Sequence, residues 1–418
     1  MLVLFLAAAA APTPLYRVYQ ARWGFSATTL TAVFAVYVVF LLTTVLIFGS
    51  LSDQAGRRPV IITALAVDTA ACILFLLAHG VGALLSARAL QGIAVGLAAN
   101  ALGAALLDLR PAGILAPLAT SNGGTVGLAL GALGTSLLVQ YGPVPAKLVW
   151  WLLLGAFLAA ILLMAATPEP GTVRPGALAS MRPHVSVPRS ARGTFARAVP
   201  CLVAVWALGG FYLSLGPSLA AQLSGSHNLL WGGVITFLLT GLGAVTSFAF
   251  RNSAPSAVML GGCLGLVGGA VVTVAAIVAS TPALLLLGTA LAGLGFGPAN
   301  LGGYRVIMAR AAASNRAGLI AAITIVNYLA LGLPVLIAGM ATSHFGLHDT
   351  ALVYSVVIAL LAAAAAGGVL FEGNDRTRAA RAAAPPPEPP PGPCTVPPYT
   401  QATLHEGERT KAAINRRQ

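Results

Sequence analysis

The stretch Phe48-Gly49-Ser50-Leu51-Ser52-Asp53-Gln54-Ala55-Gly56-Arg57-Arg58-Pro59 is a short charged turn between two long apolar segments. Its two glycines, Gly49 and Gly56, permit close helix approach or unusual backbone angles. Asp53 can meet a helix N-terminus, and the closing proline suits the first turn of a helix. The arginine pair favours the cytoplasmic side of a membrane. The spacing therefore predicts a tight cytoplasmic hairpin.

This block resembles the signature loop of the major facilitator superfamily, which lies between transmembrane helices 2 and 3. An ordinary basic loop that stops translocation would explain the arginines, but not the Gly, Asp, Gly spacing in front of them. The resemblance implies a secondary transporter whose cytoplasmic gate includes the loop residues Gly49, Asp53, Gly56, Arg57 and Arg58. Asp108, at the end of the fourth apolar segment, is the expected partner of either arginine.

Composition independently assigns the chain to the integral membrane proteins. Hydrophobic residues make up 58% of the sequence and charged residues 8%, and the mean hydropathy is +0.88. The net charge of +13 does not indicate nucleic acid binding, because the basic residues lie between apolar segments and in the C-terminal tail. The charge reports membrane topology instead.

Twelve apolar segments predict an all-α integral membrane protein with two six-helix halves. The first half covers residues 1–166 and the second residues 199–371. A Pro- and Arg-rich cytoplasmic linker, residues 167–198, joins them, and residues 372–418 form a disordered Pro-rich cytoplasmic tail. The tail is either plain or a ligand for a proline-binding module. The predicted segments are residues 1–19, 28–48, 59–78, 82–107, 115–139, 147–166, 199–223, 229–250, 255–279, 282–308, 318–343 and 350–371.

The first segment is short for a membrane span, and a cleaved signal peptide is its alternative interpretation. The basic residues predict that both termini are cytoplasmic and that the protein lies in the cell membrane. Short turns on the signature-loop side hold seven basic residues, against three on the other side. Those three are Arg17, Arg22 and Lys147.

The two halves resemble each other at an offset of 201 residues. Residues 89–96 align with residues 290–297, and residues 128–131 align with residues 329–332. Glycines four apart in these segments predict close helix packing. In the family's proton antiporters, helix 5 carries a glycine series with a Gly-Pro step. Here Ala132 and Thr135 stand at those positions, which weakens an antiporter assignment without excluding it.

Two charged residues lie inside the predicted spans. Arg88 is followed by Gln91, and this Arg-x-x-Gln-Gly pattern resembles the superfamily's helix 4 motif, while Asp68 lies near the middle of the third segment. A charge at mid-bilayer costs about 2.5–3.5 kcal/mol on insertion scales, so each is expected to be functional or paired. A structural ion pair and a pair that couples transport to protons both remain open.

Milder polar or aromatic residues lie on helices that line the central cavity in this family. Each could contact substrate or hydrogen-bond between helices, and Pro217 and Pro334 either bend their helices or are simply tolerated. The candidate cavity residues are Tyr37, Gln91, Asn100, Asn122, Phe211, Tyr212, Asn300 and Asn327.

An enzyme is not expected, because the sequence carries no nucleophile motif, metal cluster or phosphate loop. The four cysteines have no metal-ligand or redox spacing, and no disulfide is implied. His344 and His348 flank Gly346, which favours a loop over a metal pair. The sequence therefore predicts neither a cofactor nor a metal.

The predicted function is secondary transport by alternating access, with a monomer in the lipid bilayer moving a small-molecule substrate and protons. Proton-coupled efflux of small amphipathic or drug-like molecules is favoured, because the cavity helices are apolar with scattered aromatic and Asn residues. Proton-coupled uptake of a small metabolite is the alternative.

Overall fold

The computed structural model describes residues 1–49, 51–108, 123–169, 185–311 and 316–383, and within them the chain is helical with no strand. Eleven helical stretches are long and apolar enough to cross a membrane. The longest, of 56 residues, is interrupted at Gly346, whose φ of 84° and ψ of 163° are not helical. It therefore forms two helices, and the described chain carries the twelve spans that the sequence predicts.

The helices are numbered in chain order. Those of the first half are α1 Leu2–Trp23, α2 Ala27–Phe48, α3 Arg57–Leu76, α4 Val81–Asp108, α5 Gly123–Tyr141 and α6 Leu148–Ala166. Those of the second half are α7 Arg189–Ser214, α8 Leu230–Ala249, α9 Pro255–Val278, α10 Pro282–Met308, α11 with residues 316–345 and α12 with residues 347–383. Two short helices, Leu51–Ala55 and Gly216–Ser224, follow α2 and α7.

The structure places the start of α7 ten residues earlier than predicted, at Arg189 instead of Val199. The predicted linker is therefore too long at its C-terminal end. Pro188 stands at the N-cap, and the Arg192 Nε donates a hydrogen bond to the Val187 carbonyl at 3.2 Å. These contacts extend the helix beyond its apolar part, which is all that a hydropathy pattern detects.

Two other helices run past their predicted ends. α1 continues to Trp23 and ends where Gly24 adopts a left-handed conformation, with φ of 66°. α12 continues to Ala383 through an Ala-rich stretch, a composition that favours helix up to the prolines from Pro385. Of the two alternatives left open for the prolines, Pro217 lies at a break, because a new short helix begins at Gly216, whereas Pro334 lies inside its helix.

The glycines of the predicted repeat have the same packing role in both halves. In the first half α4 packs on α2, and a Cβ atom at Gly92 would overlap the Tyr37 carbonyl oxygen. In the second half α10 packs on α8, and a Cβ atom at Gly293 would overlap the Leu238 carbonyl oxygen. Backbones approach this closely only at small residues. The offset of 201 residues thus relates equivalent helix pairs.

The two halves contact each other through α2 with α11 and through α5 with α8. The Thr28 and Ser343 hydroxyl oxygens are 2.8 Å apart. The Leu229 backbone N–H donates to the Gln140 side-chain oxygen at 3.0 Å. We call this end of the bundle the far end, and the end that holds the turn of residues 49–56 the signature end.

Candidate functional site

The turn between α2 and α3 depends on Gly56. Its φ of 92° and ψ of 151° lie in a region that side chains other than glycine rarely adopt. A Cβ atom there would also lie 3.0 Å from the Glu169 Oε2. Gly49 ends α2 with an ordinary helical φ of −56°, and its contact is local, because a Cβ would be 2.7 Å from the Val45 carbonyl oxygen.

A carboxylate caps the N-terminus of α3, and it belongs to Glu169, three residues after α6. Its Oε1 accepts from the Arg57 backbone N–H at 2.7 Å, and its Oε2 accepts from the Arg58 backbone N–H at 3.1 Å. The first N–H groups of a helix lack partners within the helix, and the helix dipole attracts negative charge there. The Arg58 guanidinium completes the contact by donating to the Ala165 carbonyl.

Glu169, a residue that the sequence did not single out, thus occupies the N-terminus of α3. Glu169 is the only acidic residue in the sequence between residues 167 and 198, and this isolation was the signal that could have identified it. The Arg57 guanidinium donates to the Ser52 hydroxyl at 2.8 Å. The side chains of Asp53 and Asp108 lie outside the described part of the chain, so their gating role stays a prediction.

Asp68 on α3 is completely buried, with 0% of its surface exposed. Neither of its carboxyl oxygens has a hydrogen-bond partner among the described residues, so the direct ion pair with Arg88 that the sequence allowed is not formed in this structure. Arg88 on α4 and Tyr37 on α2, which lie beside each other, are buried as well. The first half thus buries two charged side chains and a tyrosine within its spans.

Arg88 is held by α1 instead of by Asp68. Its guanidinium donates to the Ala9 carbonyl at 2.9 Å and to the Gln91 side-chain oxygen at 2.8 Å. The Gln91 amide in turn donates to the Ala8 carbonyl at 3.0 Å. Pro12 has no N–H to offer that carbonyl, so two α4 side chains satisfy backbone oxygens that the proline leaves exposed.

The Arg88 guanidinium also lies over aromatic rings of α2. Its Cζ atom is 4.3 Å from the centre of the Tyr37 ring and 5.8 Å from that of Phe34. Aromatic faces stabilise cations, most strongly where water is excluded. The rings of α2 thus line the buried site of Arg88, where no carboxylate is in direct contact.

In the second half, the candidate Asn300 belongs to a cluster of partly exposed aromatic residues. Its side-chain oxygen accepts from the Trp206 indole N–H at 3.1 Å. Tyr328 packs edge-on against Trp206 with 5.3 Å between ring centres. The neighbouring Asn327 has a side-chain oxygen without a hydrogen-bond partner in the described structure. α7, α10 and α11 thus bring amides and aromatic rings together, and the sequence did not single out Trp206 or Tyr328.

Other predicted cavity residues have packing partners within their own half. Phe211 is buried and stacks on Tyr354 at 4.7 Å, and the Tyr212 hydroxyl lies 2.9 Å from that of Thr289. The Asn100 amide donates to the carbonyl one turn earlier in α4, at 3.3 Å. Asn122 lies outside the described residues.

Known proteins with a related sequence or fold are membrane transporters. A sequence model of the family described as Major Facilitator Superfamily matches residues 1–252. Among curated proteins, none matches the chain. The crystal structure of a bacterial homolog to the human lysosomal transporter Spinster, inward-facing and unoccupied, has a TM-score of 0.72 at 14% identity, over 90% of this chain and 96% of that one.

Two further solved structures share the architecture. The inward-facing and occupied conformation of the same bacterial homolog has a TM-score of 0.70 at 14% identity, over 88% of this chain and 94% of that one. The human organic anion transporter MFSD10 (TETRAN) has a TM-score of 0.56 at 19% identity, over 87% of this chain and 96% of that one. At such identities the likeness shows a shared fold.

Proposed function

The chain belongs to the Major Facilitator Superfamily, a family of membrane transporters, and from that premise we propose that it exports small amphipathic molecules in exchange for protons. The observation that carries the proposal is Asp68, a fully buried carboxyl group with no hydrogen bond to any described residue. Ionised carboxylates are costly in such sites, so this geometry favours the protonated acid. A change in its surroundings would release the proton.

Arg88 is the group that can provide this change. It is not hydrogen-bonded to Asp68, and its guanidinium is bonded to the Ala9 carbonyl of α1 and to Gln91. If α1 shifts relative to α4 between access states, the guanidinium changes its distance to the carboxyl group. An approaching cation favours the ionised form, and a receding one favours the protonated form.

Alternating access requires the far-end contacts to open and re-form. These contacts involve small side chains at the α2–α11 and α5–α8 seams. A Cβ atom at Gly339 would overlap the Thr31 side chain, and one at Gly233 would overlap Ser136. Small surfaces of this kind support rocking of one half against the other around a site near the membrane midplane.

The residues that we propose to line this site favour a substrate with apolar surface and few charges. Trp206, Tyr328, Asn300 and Asn327 offer aromatic faces and amide hydrogen bonds, and none of them carries a charge. Rings and amides bind flat apolar molecules that have one or two polar groups. Uptake of a small metabolite with protons is the competing function, and the assay below separates the two.

The test uses full-length protein in proteoliposomes under an imposed pH gradient, with a fluorescent amphipathic dye as substrate. Asp68→Asn is expected to retain downhill dye exchange and to lose accumulation driven by the gradient, because an amide cannot release the proton. Asp349→Asn is the matched control, since it makes the same change at an exposed carboxylate at the start of α12. It is expected to accumulate dye like the unmodified protein.

Two results would contradict the proposal. If Asp68→Asn lowers expression or thermal stability while the folded fraction still accumulates dye, Asp68 and Arg88 are structural, and Asp53 or Asp108 must be tested as the proton carrier. If the substrate moves in the same direction as the protons, the protein is an uptake transporter and the proposed efflux function is wrong.

We also propose that the signature turn is a gate at the cytoplasmic side. Glu169 accepts from the first N–H groups of α3. Asp53 is proposed to bias closure by meeting a helix N-terminus or a neighbouring arginine, and Asp108 is proposed as a partner for Arg57 or Arg58. Asp53→Asn is expected to reduce transport in a folded protein. Unchanged transport by this variant would contradict the gating role, and the turn would then serve only to fix the orientation of the helices in the membrane.

Sidedness is tested by single cysteines in a background without native cysteines. Ser190 lies at the start of α7, at the signature end, and Ser226 lies in the α7–α8 turn at the far end. We expect an impermeant thiol reagent to label Ser190→Cys only from the cytoplasm and Ser226→Cys only from outside. The reverse pattern would overturn the orientation.

A further inference from the structure

The far end of the bundle contains a cavity of about 460 Å³ that transport by the central site does not use. It lies between the last two turns of α1 and the turn that connects α7 to α8. It is lined by Arg17, Val18, Ala21, Arg22, His227 and Leu229. Three of these six side chains are basic or can become so, and none is acidic.

The two arginines have no evident structural duty. Within the described residues, neither Arg17 nor Arg22 takes part in a hydrogen bond or an ion pair. Asp349, a carboxylate at the same end, is already bonded to His348 at 2.9 Å. Arginines on the side predicted to be external also run against the usual distribution of positive charge in membrane proteins.

The walls of the cavity are well defined. On the α7–α8 side, the Asn228 backbone N–H donates to the Ser226 hydroxyl at 3.1 Å, and the Asn228 side chain accepts from the Leu230 N–H at 2.9 Å. On the α1 side, the Gln20 amide donates to the Phe25 carbonyl at 3.0 Å. These bonds fix the backbone segments that carry His227 and the arginines, so the side chains need only turn toward a ligand.

We propose that this cavity binds an anion with phosphate-like oxygens, held by Arg17, Arg22 and His227. Guanidinium groups bind phosphate oxygens through paired, charge-assisted hydrogen bonds, and a histidine can donate one more. The arginines belong to the first half and His227 to the second. A bound anion therefore bridges the halves and stabilises the conformation in which they touch at the far end, whatever the transported substrate is.

The anion is either dissolved or part of a lipid headgroup, and two arms separate these sources. In the first, thermal unfolding of the full chain in detergent is followed with inorganic phosphate or with chloride at equal ionic strength. In the second, the full chain is placed in nanodiscs of phosphatidylcholine with or without phosphatidylglycerol. Stabilisation in the first arm identifies a dissolved anion, and stabilisation only in the second identifies a lipid headgroup.

The variants are Arg22→Gln, Arg17→Gln with Arg22→Gln, and the control Lys147→Gln. Arg22 is exposed, so its replacement leaves the fold intact, and Lys147 is a basic residue at the same end outside the cavity. In whichever arm shows stabilisation, we expect Arg22→Gln to raise the apparent Kd of the anion about tenfold. This is the loss of about one charge-assisted hydrogen bond. The double variant should abolish stabilisation, and Lys147→Gln should preserve it.

Three results would overturn the site. They are no stabilisation in either arm, stabilisation that survives in the double variant, and stabilisation that Lys147→Gln removes as completely as the double variant does. The last would mean that the surface charge of this end, and not the cavity, attracts the anion.

Discussion

The turns between α2 and α3 and between α8 and α9 occupy equivalent places in the two halves, but opposite charges hold them. In the first turn, the Glu169 carboxylate accepts from two backbone N–H groups at the start of α3. In the second, the Arg305 guanidinium donates to the carbonyl oxygens of Arg251 and Ser253 at 3.0 and 3.1 Å.

The residues that bond the two turns also come from different parts of the chain. Arg305 lies on α10, a helix that already packs against α8 and α9, so the second turn is closed by its immediate neighbours. Glu169 lies beyond α6, where the chain leaves the first half toward the linker. The first turn is therefore bonded to the segment that follows α6, whereas the second is closed by a local structural contact.

The helix contacts made by equivalent glycines also differ between the two halves. A Cβ atom at Gly297 of α10 would overlap the Gly243 carbonyl, which belongs to the backbone of α8. At the equivalent Gly96 of α4, it would lie 2.7 Å from the Thr44 Cβ, an atom of a side chain. The second half is therefore packed backbone to backbone where the first half keeps a side chain at the seam.

The largest expected effect follows from these seams. Gly297→Ala should destabilise the protein by about 1–3 kcal/mol, because a helix backbone must move to admit the methyl group. Gly96→Ala should cost less, because the overlap of its methyl group with the Thr44 Cβ, at 2.7 Å, is milder than the overlap with the Gly243 carbonyl. Unfolding in detergent measures both. Gly103→Ala, on the same helix as Gly96 but with open space around it, should be neutral or stabilising. Equal costs at Gly96 and Gly297 would remove the distinction between the seams.

An intermediate effect is expected at the first turn. Gly56→Ala should cost about 1–3 kcal/mol from backbone strain alone, with added contact against Glu169, and should reduce transport more than stability by displacing the α3 cap. Ser253→Ala in the second turn is the matched change, because its backbone N–H and carbonyl are bonded there and the substitution keeps both. Dye transport and thermal unfolding are measured for both. Unaltered transport by folded Gly56→Ala protein would contradict the proposed gating role of this turn.

The smallest effects distinguish the two holding residues. Glu169→Gln should cost about 0.3–1 kcal/mol at low salt, as expected for a charge at an exposed helix N-terminus, and the loss should shrink in 1 M salt. Arg305→Gln removes bonds to uncharged carbonyls, so its cost of about 1 kcal/mol should change little with salt. Thermal unfolding at both salt concentrations gives the comparison. The same salt dependence in the two variants would mean that the turns are not held differently.

The fold could be predicted because its signals are local. Hydropathy revealed the spans, the Gly and Arg spacing identified the signature turn, and the repeated glycines predicted helix pairs that the structure confirms at Gly92 and Gly293. The partner of the turn could not be found in the same way. Glu169 is 112 residues from Arg57 in sequence, and only the packing of α6 against α3 brings them together.

The candidate site was harder to predict because helices that are apolar all round do not reveal which side faces a neighbour. Phe211 and Tyr212 were therefore predicted to line the cavity only because they lie on a cavity helix, and the structure packs both inside the second half.

The cysteines are a second contact that spacing in the sequence does not reveal. Cys201 and Cys263 are far apart in sequence, yet their sulfur atoms are 3.4 Å apart.

The proline in α1 has a consequence for biosynthesis. The Ala8 and Ala9 carbonyls are satisfied by Gln91 and Arg88, which follow them by 83 and 79 residues. When α1 leaves the ribosome, these partners have not been made, and the hydrocarbon core offers no water to replace them. α1 thus reaches its final backbone bonding only after α4 has been inserted, so the order of helix synthesis sets when the first half becomes stable.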